Sequence, residues 1–427
     1  MTQNKLINKL EYLINSNILI IAFLGICLII NSFHSILSFG YGLDDYYLIS
    51  RSFKEAFLKN IEIGGIHFRP IWYLSYPLVN IISNSSSFHH FTNLFLHIGN
   101  CILVYFLIRK FLGNLLPILI ITIWSILPWC VIPYIWLAQR NDLLMGFFIL
   151  LALILSDRNN KRFSYFSIIA AYFSKSTCLF LPLAYTSKFL LKRKKSDFLF
   201  GIFSFVIFFL IAIIMYKNGL NSPYGNIQIE THSLPTILKV ANFFKNFILS
   251  WFLLFLPIPF FTSFFQGIIW FAISILLFLV VFKYGKFSSE SRNFLFLALL
   301  ISLTSVITAD IRITYIQTLF IIISYFIALK DIFLKEKVYK NELVFLNKSN
   351  NLPSRIVLIS ITLIFILSSF SNKVTANNFN TKIYNLESSK DTNHCIHVNN
   401  FYEWNRAFQK KILKKGNNLP ELKVCDY

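Results

Sequence analysis

The sequence predicts an all-α polytopic membrane protein, and three observations lead to this fold class. Of its 427 residues, 56% are hydrophobic and only 14% are charged, whereas a soluble chain carries about 25% charged residues. The mean hydropathy is +0.61. Apolar stretches recur along the chain with about the 20 residues that a helix needs to cross a bilayer. This composition excludes a soluble enzyme, a disordered scaffold and a nucleic-acid-binding domain.

Several apolar segments are predicted to cross the membrane, and two others are less regular. The predicted spans are residues 18–38, 91–108, 115–135, 141–156, 198–216, 267–282, 293–309, 313–329 and 356–370. Residues 163–191 are interrupted at Lys175, so we expect two short helices that dip in and return, or a re-entrant hairpin. For residues 240–262 three placements are open: along the membrane–water interface, re-entrant, or across the membrane. The expected bundle therefore has about 9–12 transmembrane or re-entrant helices.

Basic clusters orient this bundle, because Lys and Arg are enriched in cytoplasmic loops. One side receives residues 109–110, 158–162, 188–195 and 283–292, and we assign that side as cytoplasmic. The Lys and Arg residues behind the formal charge of +21 then orient the spans and attract anionic lipid headgroups. The N-terminus is cytoplasmic and the C-terminus is outside in this arrangement. Outside lie a first loop at 39–90, with interfacial helices, and a polar tail at 371–427, which leaves 1–370 as the membrane domain.

The tail contains Cys395 and Cys425, which can pair if it lies on an oxidising side. The first outward loop contains a carboxylate pair, Asp44-Asp45, among aromatic residues. Apolar surroundings and a neighbouring carboxylate favour the protonated carboxyl group, which suits general-base catalysis near neutral pH. Such a pair also suits a divalent cation, Mg²⁺ or Mn²⁺. A solvated loop start or a helix N-cap is the alternative.

Cationic side chains follow at the same membrane surface. Arg69 belongs to the segment His67-Phe68-Arg69-Pro70, and Pro70 can start a helix. The forked donors of Arg69 suit a phosphate. The alternative is an ordinary arginine at the membrane interface. Lys175 lies within an apolar stretch, so it needs an aqueous cavity, an acidic partner or an anionic ligand. Arg312 lies between two predicted spans, near Asp310.

A polar stripe and a polar turn complete the set of candidate residues. His90, Asn93 and His97 are spaced by three and four, so they share one face of the second predicted span. That face binds substrate, or it hydrogen-bonds to another helix. Arg140 and Asp142 either belong to the site or form a short turn with an internal ion pair. Carboxylates beside several cations fit transfer from a lipid phosphate.

The chain resembles the GT-C superfamily of polytopic glycosyltransferases, and in particular the transmembrane tetratricopeptide-repeat O-mannosyltransferases and their bacterial relatives. Six elements match in order: Asp44-Asp45, Phe68-Arg69-Pro70, His90-x-x-Asn93-x-x-x-His97, Arg140-x-Asp142-Leu143-Leu144, Ser174-Lys175, and Arg312-x-x-Tyr315. Ser176 stands where the family usually has Glu. No tetratricopeptide repeat follows the membrane region. The resemblance is good over residues 39–183.

The resemblance implies an inverting transferase of the bacterial inner membrane that uses a polyprenyl-phosphate sugar. Asp44 matches the catalytic base, and Asp45 assists or binds metal. Arg69, Arg140, Lys175 and Arg312 would bind the donor phosphate. The residues that would bind substrate are His67, His90, Asn93, His97, Asp142 and Tyr315.

The size and topology are similar to those of phage-type O-antigen seroconverting glucosyltransferases, which points to an acceptor glycan or lipid-linked saccharide of lipopolysaccharide. The alternatives are a transporter or flippase for a lipid-linked saccharide, and an O-antigen polymerase or ligase.

Overall fold

A computed structural model gives the three-dimensional structure of part of the chain. It describes residues 53–54, 69–83, 85–113, 115–126, 130, 133, 137–158, 160–175, 178, 181–182, 185, 195–220, 275–276, 279–308 and 314–329. All regular structure in these ranges is helical, with no strand among them, which confirms the all-α prediction for this part. The predicted spans at 18–38 and 356–370, the segment 240–262 and the tail 371–427 with its two cysteines lie outside the described residues.

The described helices follow one another from the end of the first predicted loop to residue 328. They are α1 Pro70–Asn80, α2 Ser86–Leu112, α3 Leu115–Ile126, α4 Arg140–Asp157, α5 Lys161–Ser174, α6 Lys195–Leu220, α7 Ser289–Thr308 and α8 Thr314–Ala328. A 3₁₀ turn, Leu137–Gln139, leads directly into α4. Residues 279–284, within the predicted span 267–282 and just beyond it, are also helical.

Two of the described helices are long enough and apolar enough to cross a membrane, namely Ser87–Leu112 and Leu137–Asp157. Leu116–Ser125 and Tyr315–Ala328 are apolar but shorter. Within the predicted span at 115–135, α3 covers Leu115–Ile126, and residues 130 and 133 are helical as well.

Local sequence explains where several helices begin and end. Pro70 occupies the first turn of α1, as predicted. The Ser85 hydroxyl accepts a hydrogen bond from the N–H of Phe88 (3.3 Å) and caps α2. Gly113 ends α2 with a φ of 71°, a conformation that glycine adopts without steric cost. Helix α5 ends at Ser174, and Lys175 is extended (φ −155°, ψ 126°), so the predicted interruption of 163–191 is present.

Side-chain contacts establish how the helices run relative to one another. Helices α2 and α4 are parallel, since Arg140 contacts Asn93 at one end and Lys110 pairs with Asp157 at the other. Helix α5 returns antiparallel to α4, and Lys175 reaches Asp142. Helices α7 and α8 are antiparallel, and two buried serines, 291 and 324, hydrogen-bond reciprocally between them. The N-terminal ends of α2, α4 and α8 therefore lie together.

Candidate functional site

One face of α2 carries a row of buried polar side chains. His89, Asn93, His97 and Asn100 are spaced by four, four and three residues, so they lie along a single helix face. Each of them is at most 1% exposed, and so is the neighbouring His90. Burial of polar groups is costly unless they are hydrogen-bonded. The predicted polar face is therefore confirmed, and its contacts lead to three other parts of the chain.

Arg140, the first residue of α4, is the centre of the first group of contacts. Its side chain is fully buried. Nε donates to Oδ1 of Asn93 (2.6 Å), and Nη1 donates to the carbonyl oxygen of Ser75 (3.2 Å). Nη2 donates to Nδ1 and to the carbonyl oxygen of His89 (both 3.2 Å). The guanidinium thereby joins α1, α2 and α4.

The Arg140 contact determines the tautomer of His89. Because a guanidinium can only donate, Nδ1 of His89 is the acceptor and its ring proton lies on Nε2. Nε2 then donates to Oδ1 of Asn80 (2.8 Å) at the end of α1. Asn93 uses both ends of its amide, since Nδ2 donates to the carbonyl oxygen of Pro133 (3.0 Å). The polar groups around the arginine are thus arranged by mutual hydrogen bonding.

Aromatic side chains of α1 connect this group to Arg69. The Arg140 guanidinium lies 4.4 Å from the ring centre of Tyr76, a cation–π distance. The Tyr76 hydroxyl donates to the carbonyl oxygen of Leu137 (2.7 Å) and accepts from Nε1 of Trp72 (3.0 Å). The half-buried Arg69 places its guanidinium 5.4 Å from the Trp72 ring centre. Arg69 and Arg140 therefore contact two aromatic side chains, Trp72 and Tyr76, that are hydrogen-bonded to each other.

Asp142 and Lys175 form a buried ion pair. Nζ of Lys175 donates to both carboxylate oxygens, at 2.6 and 2.8 Å. The side chains are 4% exposed for the lysine and 0% for the aspartate. The alternative of an internal Arg140–Asp142 pair is wrong: the two residues are i and i+2 on α4, positions that do not face each other. Of the three partners that the sequence allowed for Lys175, the acidic one is present.

Tyr315, at the start of α8, is the centre of a third group. Its hydroxyl oxygen lies 2.7 Å from Nδ1 of His97 and accepts from Nδ2 of Asn100 (3.0 Å). Nδ2 of Asn100 also donates to the carbonyl oxygen of Leu143 (3.0 Å), in the first turn of α4. Nε1 of Trp124 donates to the carbonyl oxygen of Tyr315 (3.1 Å). The late sequence element thus joins the α2 face.

The three groups meet at the first turn of α4, residues 140–143, which we call the α4 junction. Arg140 connects the junction to α1 and α2, Asp142 connects it to Lys175, and the Leu143 carbonyl connects it through Asn100 to Tyr315. Among the described side chains of the site, three are cationic (Arg69, Arg140 and Lys175) and only Asp142 is anionic. The backbone N–H groups at a helix N-terminus add positive partial charge. The described part of the site therefore carries more positive than negative charge.

Several predicted residues are brought together, while others lie outside the described residues. Brought together are Arg69, Asn93, His97, Arg140, Asp142, Lys175 and Tyr315, and His90 is buried beside His89 on α2. Outside are Asp44, Asp45, His67 and Arg312. The sequence interpretation missed His89, Tyr76, Asn100 and Trp124. A search for polar residues at spacings of three and four on α2 would have found His89 and Asn100, but nothing local marks Tyr76 or Trp124.

Metal-binding potential can be assessed only over the described part of the chain. Within those ranges, no group of three or more His, Cys, Asp or Glu side chains is close enough to hold a metal ion. The predicted metal ligands Asp44 and Asp45 lie outside those ranges, so the possible role of Mg²⁺ or Mn²⁺ stays a prediction. No protein-family model, curated protein or solved structure matches this chain.

Proposed function

We propose that this protein is an inverting glycosyltransferase of a bacterial inner membrane. It would transfer a sugar from a polyprenyl-phosphate donor to an acceptor glycan, such as an O-antigen or another surface polysaccharide, on the extracytoplasmic side. The proposal includes a polytopic bundle with a cytoplasmic N-terminus. The two helices able to cross a membrane by length and composition are compatible with that bundle.

One observation carries the proposal: sequence elements that are far apart in the chain contact one another at the α4 junction. Arg69, Asn93, Arg140, Lys175 and Tyr315 belong to five of the six elements of the family resemblance, and a continuous set of contacts connects them. A stability role alone does not require two cations to be buried in one place, because apolar residues usually stabilise a core as well or better.

The chemistry follows from the charges. The Asp44 carboxylate would take the proton of an acceptor hydroxyl while that oxygen attacks C1 of the donor sugar. The bond between C1 and the phosphate oxygen breaks, and the polyprenyl phosphate leaves with the bonding electrons. Displacement from the opposite face inverts the configuration at C1. Cations near the leaving phosphate stabilise the charge that develops there.

The contacts suggest different roles for the cations. Lys175 directs two of its three N–H donors to Asp142, so one donor can address a phosphate oxygen. Arg69 is half-buried, and the forked geometry of its guanidinium suits a phosphate. Arg140 is fully buried, so we assign it a positioning role: it orients Asn93 and His89 and adds to the local positive potential. Arg312 is retained as a phosphate-binding residue.

The test is transfer in vitro. Purified protein in detergent receives a radiolabelled polyprenyl-phosphate hexose and an acceptor glycan. We expect transfer by the native chain and its loss in Asp44→Asn, with the thermal unfolding curve unchanged. Asp157→Asn, a partly exposed carboxylate at the opposite end of α4, is the matched control and should keep full activity. Undiminished transfer by Asp44→Asn would remove the proposed base.

A second measurement concerns the donor. Arg69→Gln should raise KM for the donor, because it removes a contact to the bound phosphate, and should also lower kcat, because the same contact stabilises the charge that develops on the leaving phosphate. Arg292→Gln, an exposed arginine at the far end of the bundle, is the control. Movement of the lipid across liposomes without transfer would favour a flippase. Transfer of a whole oligosaccharide would favour a polymerase or ligase.

A further inference from the structure

A cleft lies at the end of the bundle opposite the α4 junction. It consists of two adjoining hollows of about 140 and 450 Å³, which share Lys110, Phe111 and Glu290 in their walls. Asn93 and Lys110 are 17 residues apart on α2 (110 − 93), so the cleft is about 26 Å from the Arg140 contacts. That distance is close to the hydrocarbon thickness of a bilayer, about 30 Å. We call the two hollows together the distal cleft. Its wall includes Lys110, Phe111, Lys286, Ser288, Glu290 and Asn293.

The described wall of the distal cleft has balanced charge. Two lysines, Lys110 and Lys286, face two carboxylates, Glu290 and Asp157, in the described lining. Lys110 pairs with Asp157, and the Ser289 hydroxyl donates to Oε2 of Glu290 (3.0 Å). A purely anionic ligand would meet the two carboxylates as well as the two lysines. A ligand that carries both a negative and a positive group matches this wall better.

Asn293 supplies a further acceptor. Its side-chain oxygen Oδ1 is buried and has no hydrogen-bond partner among the described residues. Nearly all buried polar atoms in proteins have a partner, so such an atom indicates an absent donor. Asn293 and Glu290 are three residues apart on α7 and therefore lie on the same face, within reach of one N–H-bearing group.

Apolar side chains surround the polar wall. Phe111, Leu297 and Ile327 contribute to the lining. Near the cleft, Phe282 is 77% exposed and Phe296 on α7 is 40% exposed. Large exposed aromatic residues next to exposed lysines and arginines are typical of a membrane–water interface. The occupant is therefore expected to be amphiphilic.

We propose that the distal cleft binds a zwitterionic phospholipid whose headgroup carries a primary ammonium. The lipid phosphate would contact Lys286 and Ser288, with Lys110 nearby. The ammonium would donate to Glu290 and to Oδ1 of Asn293, and the acyl chains would lie along the exposed aromatic side chains. This inference depends on the membrane placement in the proposed function and not on sugar transfer.

Native mass spectrometry of the detergent-purified chain tests the proposal. Phosphatidylethanolamine, phosphatidylcholine and phosphatidylglycerol of equal chain length are added at equal concentration. We expect the ethanolamine lipid to bind about tenfold more tightly than the choline lipid, which has no N–H to donate to the acceptors. Asn293→Ala and Glu290→Gln should each remove most of this preference, and Lys286→Ala should weaken binding of both lipids.

Two matched variants act as controls. Arg292→Ala and Lys283→Ala remove exposed cations at the same end that do not line the cleft, so the preference should remain. Equal retention of the ethanolamine and choline lipids would overturn the proposed site, as would stronger retention of phosphatidylglycerol. Retention of no phospholipid at all would overturn the membrane placement as well. Loss of sugar transfer affects neither measurement.

Discussion

The Asp142–Lys175 pair gives the sharpest prediction about stability. Asp142→Asn leaves the lysine ammonium buried without its carboxylate, and removing one partner of a buried pair costs about 3–5 kcal/mol in the free energy of unfolding. Lys175→Met leaves the carboxylate in the first turn of α4, where the helix dipole returns about 0.3–1 kcal/mol. We therefore expect Lys175→Met to lie near the lower limit and Asp142→Asn near the upper limit.

The double variant separates the pair from its surroundings. With both charges removed, no unpaired charge remains, so the loss should be smaller than the sum of the two single losses by about 2 kcal/mol. Lys110 and Asp157 provide a matched control, because the same residue types pair at the other end of α4. There the side chains are 40% and 24% exposed, and we expect a coupling of at most about 1 kcal/mol.

The assay is equilibrium unfolding in mixed micelles of a mild detergent and dodecyl sulfate, followed by tryptophan fluorescence. The chain contains seven tryptophans, and the buried Trp124 is hydrogen-bonded to the backbone of Tyr315 in α8. The reasoning fails if the coupling energy between positions 142 and 175 is no larger than that between 110 and 157. A small loss for both single variants would likewise show that the charges are solvated.

Three further substitutions, one of them with a matched control, test other contacts. Arg140→Lys should lower the free energy of unfolding by about 2–4 kcal/mol, because an ammonium cannot reproduce the guanidinium geometry and leaves buried acceptors without donors; the readout is the same unfolding assay. Tyr315→Phe should cost about 1–3 kcal/mol by removing the partner of His97, with the near-ultraviolet circular dichroism otherwise native. Gly146→Ala should cost about 1–3 kcal/mol by thermal unfolding, because a Cβ there would lie 2.8 Å from Cδ1 of Ile316 and 3.1 Å from the ring of the buried Tyr315. Gly99→Ala is the control and should be nearly neutral, because its Cβ would lie 3.4 Å from the Phe147 ring, an ordinary van der Waals distance.

Local patterns predicted much of the described fold. The apolar stretches at 91–108 and 141–156 are parts of α2 and α4. A segment in apolar surroundings must hydrogen-bond its own backbone N–H and C=O groups, and a helix does so within a single segment. Pro70 begins α1 for a similarly local reason. Helix ends were predicted less accurately, since α2 runs from Ser86 to Leu112 and so extends beyond both limits of the predicted span 91–108.

The membership of the site was predicted better than its pairing. The spacing of His90, Asn93 and His97 determines a shared face, and all three are buried. Proximity in sequence suggested Arg140 as the partner of Asp142. For Lys175, the nearest acid that follows in the sequence is Asp197. The lysine instead contacts Asp142, 33 residues earlier, because α5 returns antiparallel to α4.

The sequence by itself determined that the described part of the chain is helical, which α2 face is polar, and that Lys175 requires a partner. These properties follow from composition, periodicity and the cost of burying a charge, and each acts over a few helical turns. Only the tertiary structure decided that Arg140 orients His89 and Asn93, that Lys175 pairs with Asp142, and that Tyr315 reaches His97. Such choices depend on the direction and register in which helices pack, which residue spacing within a single helix does not encode.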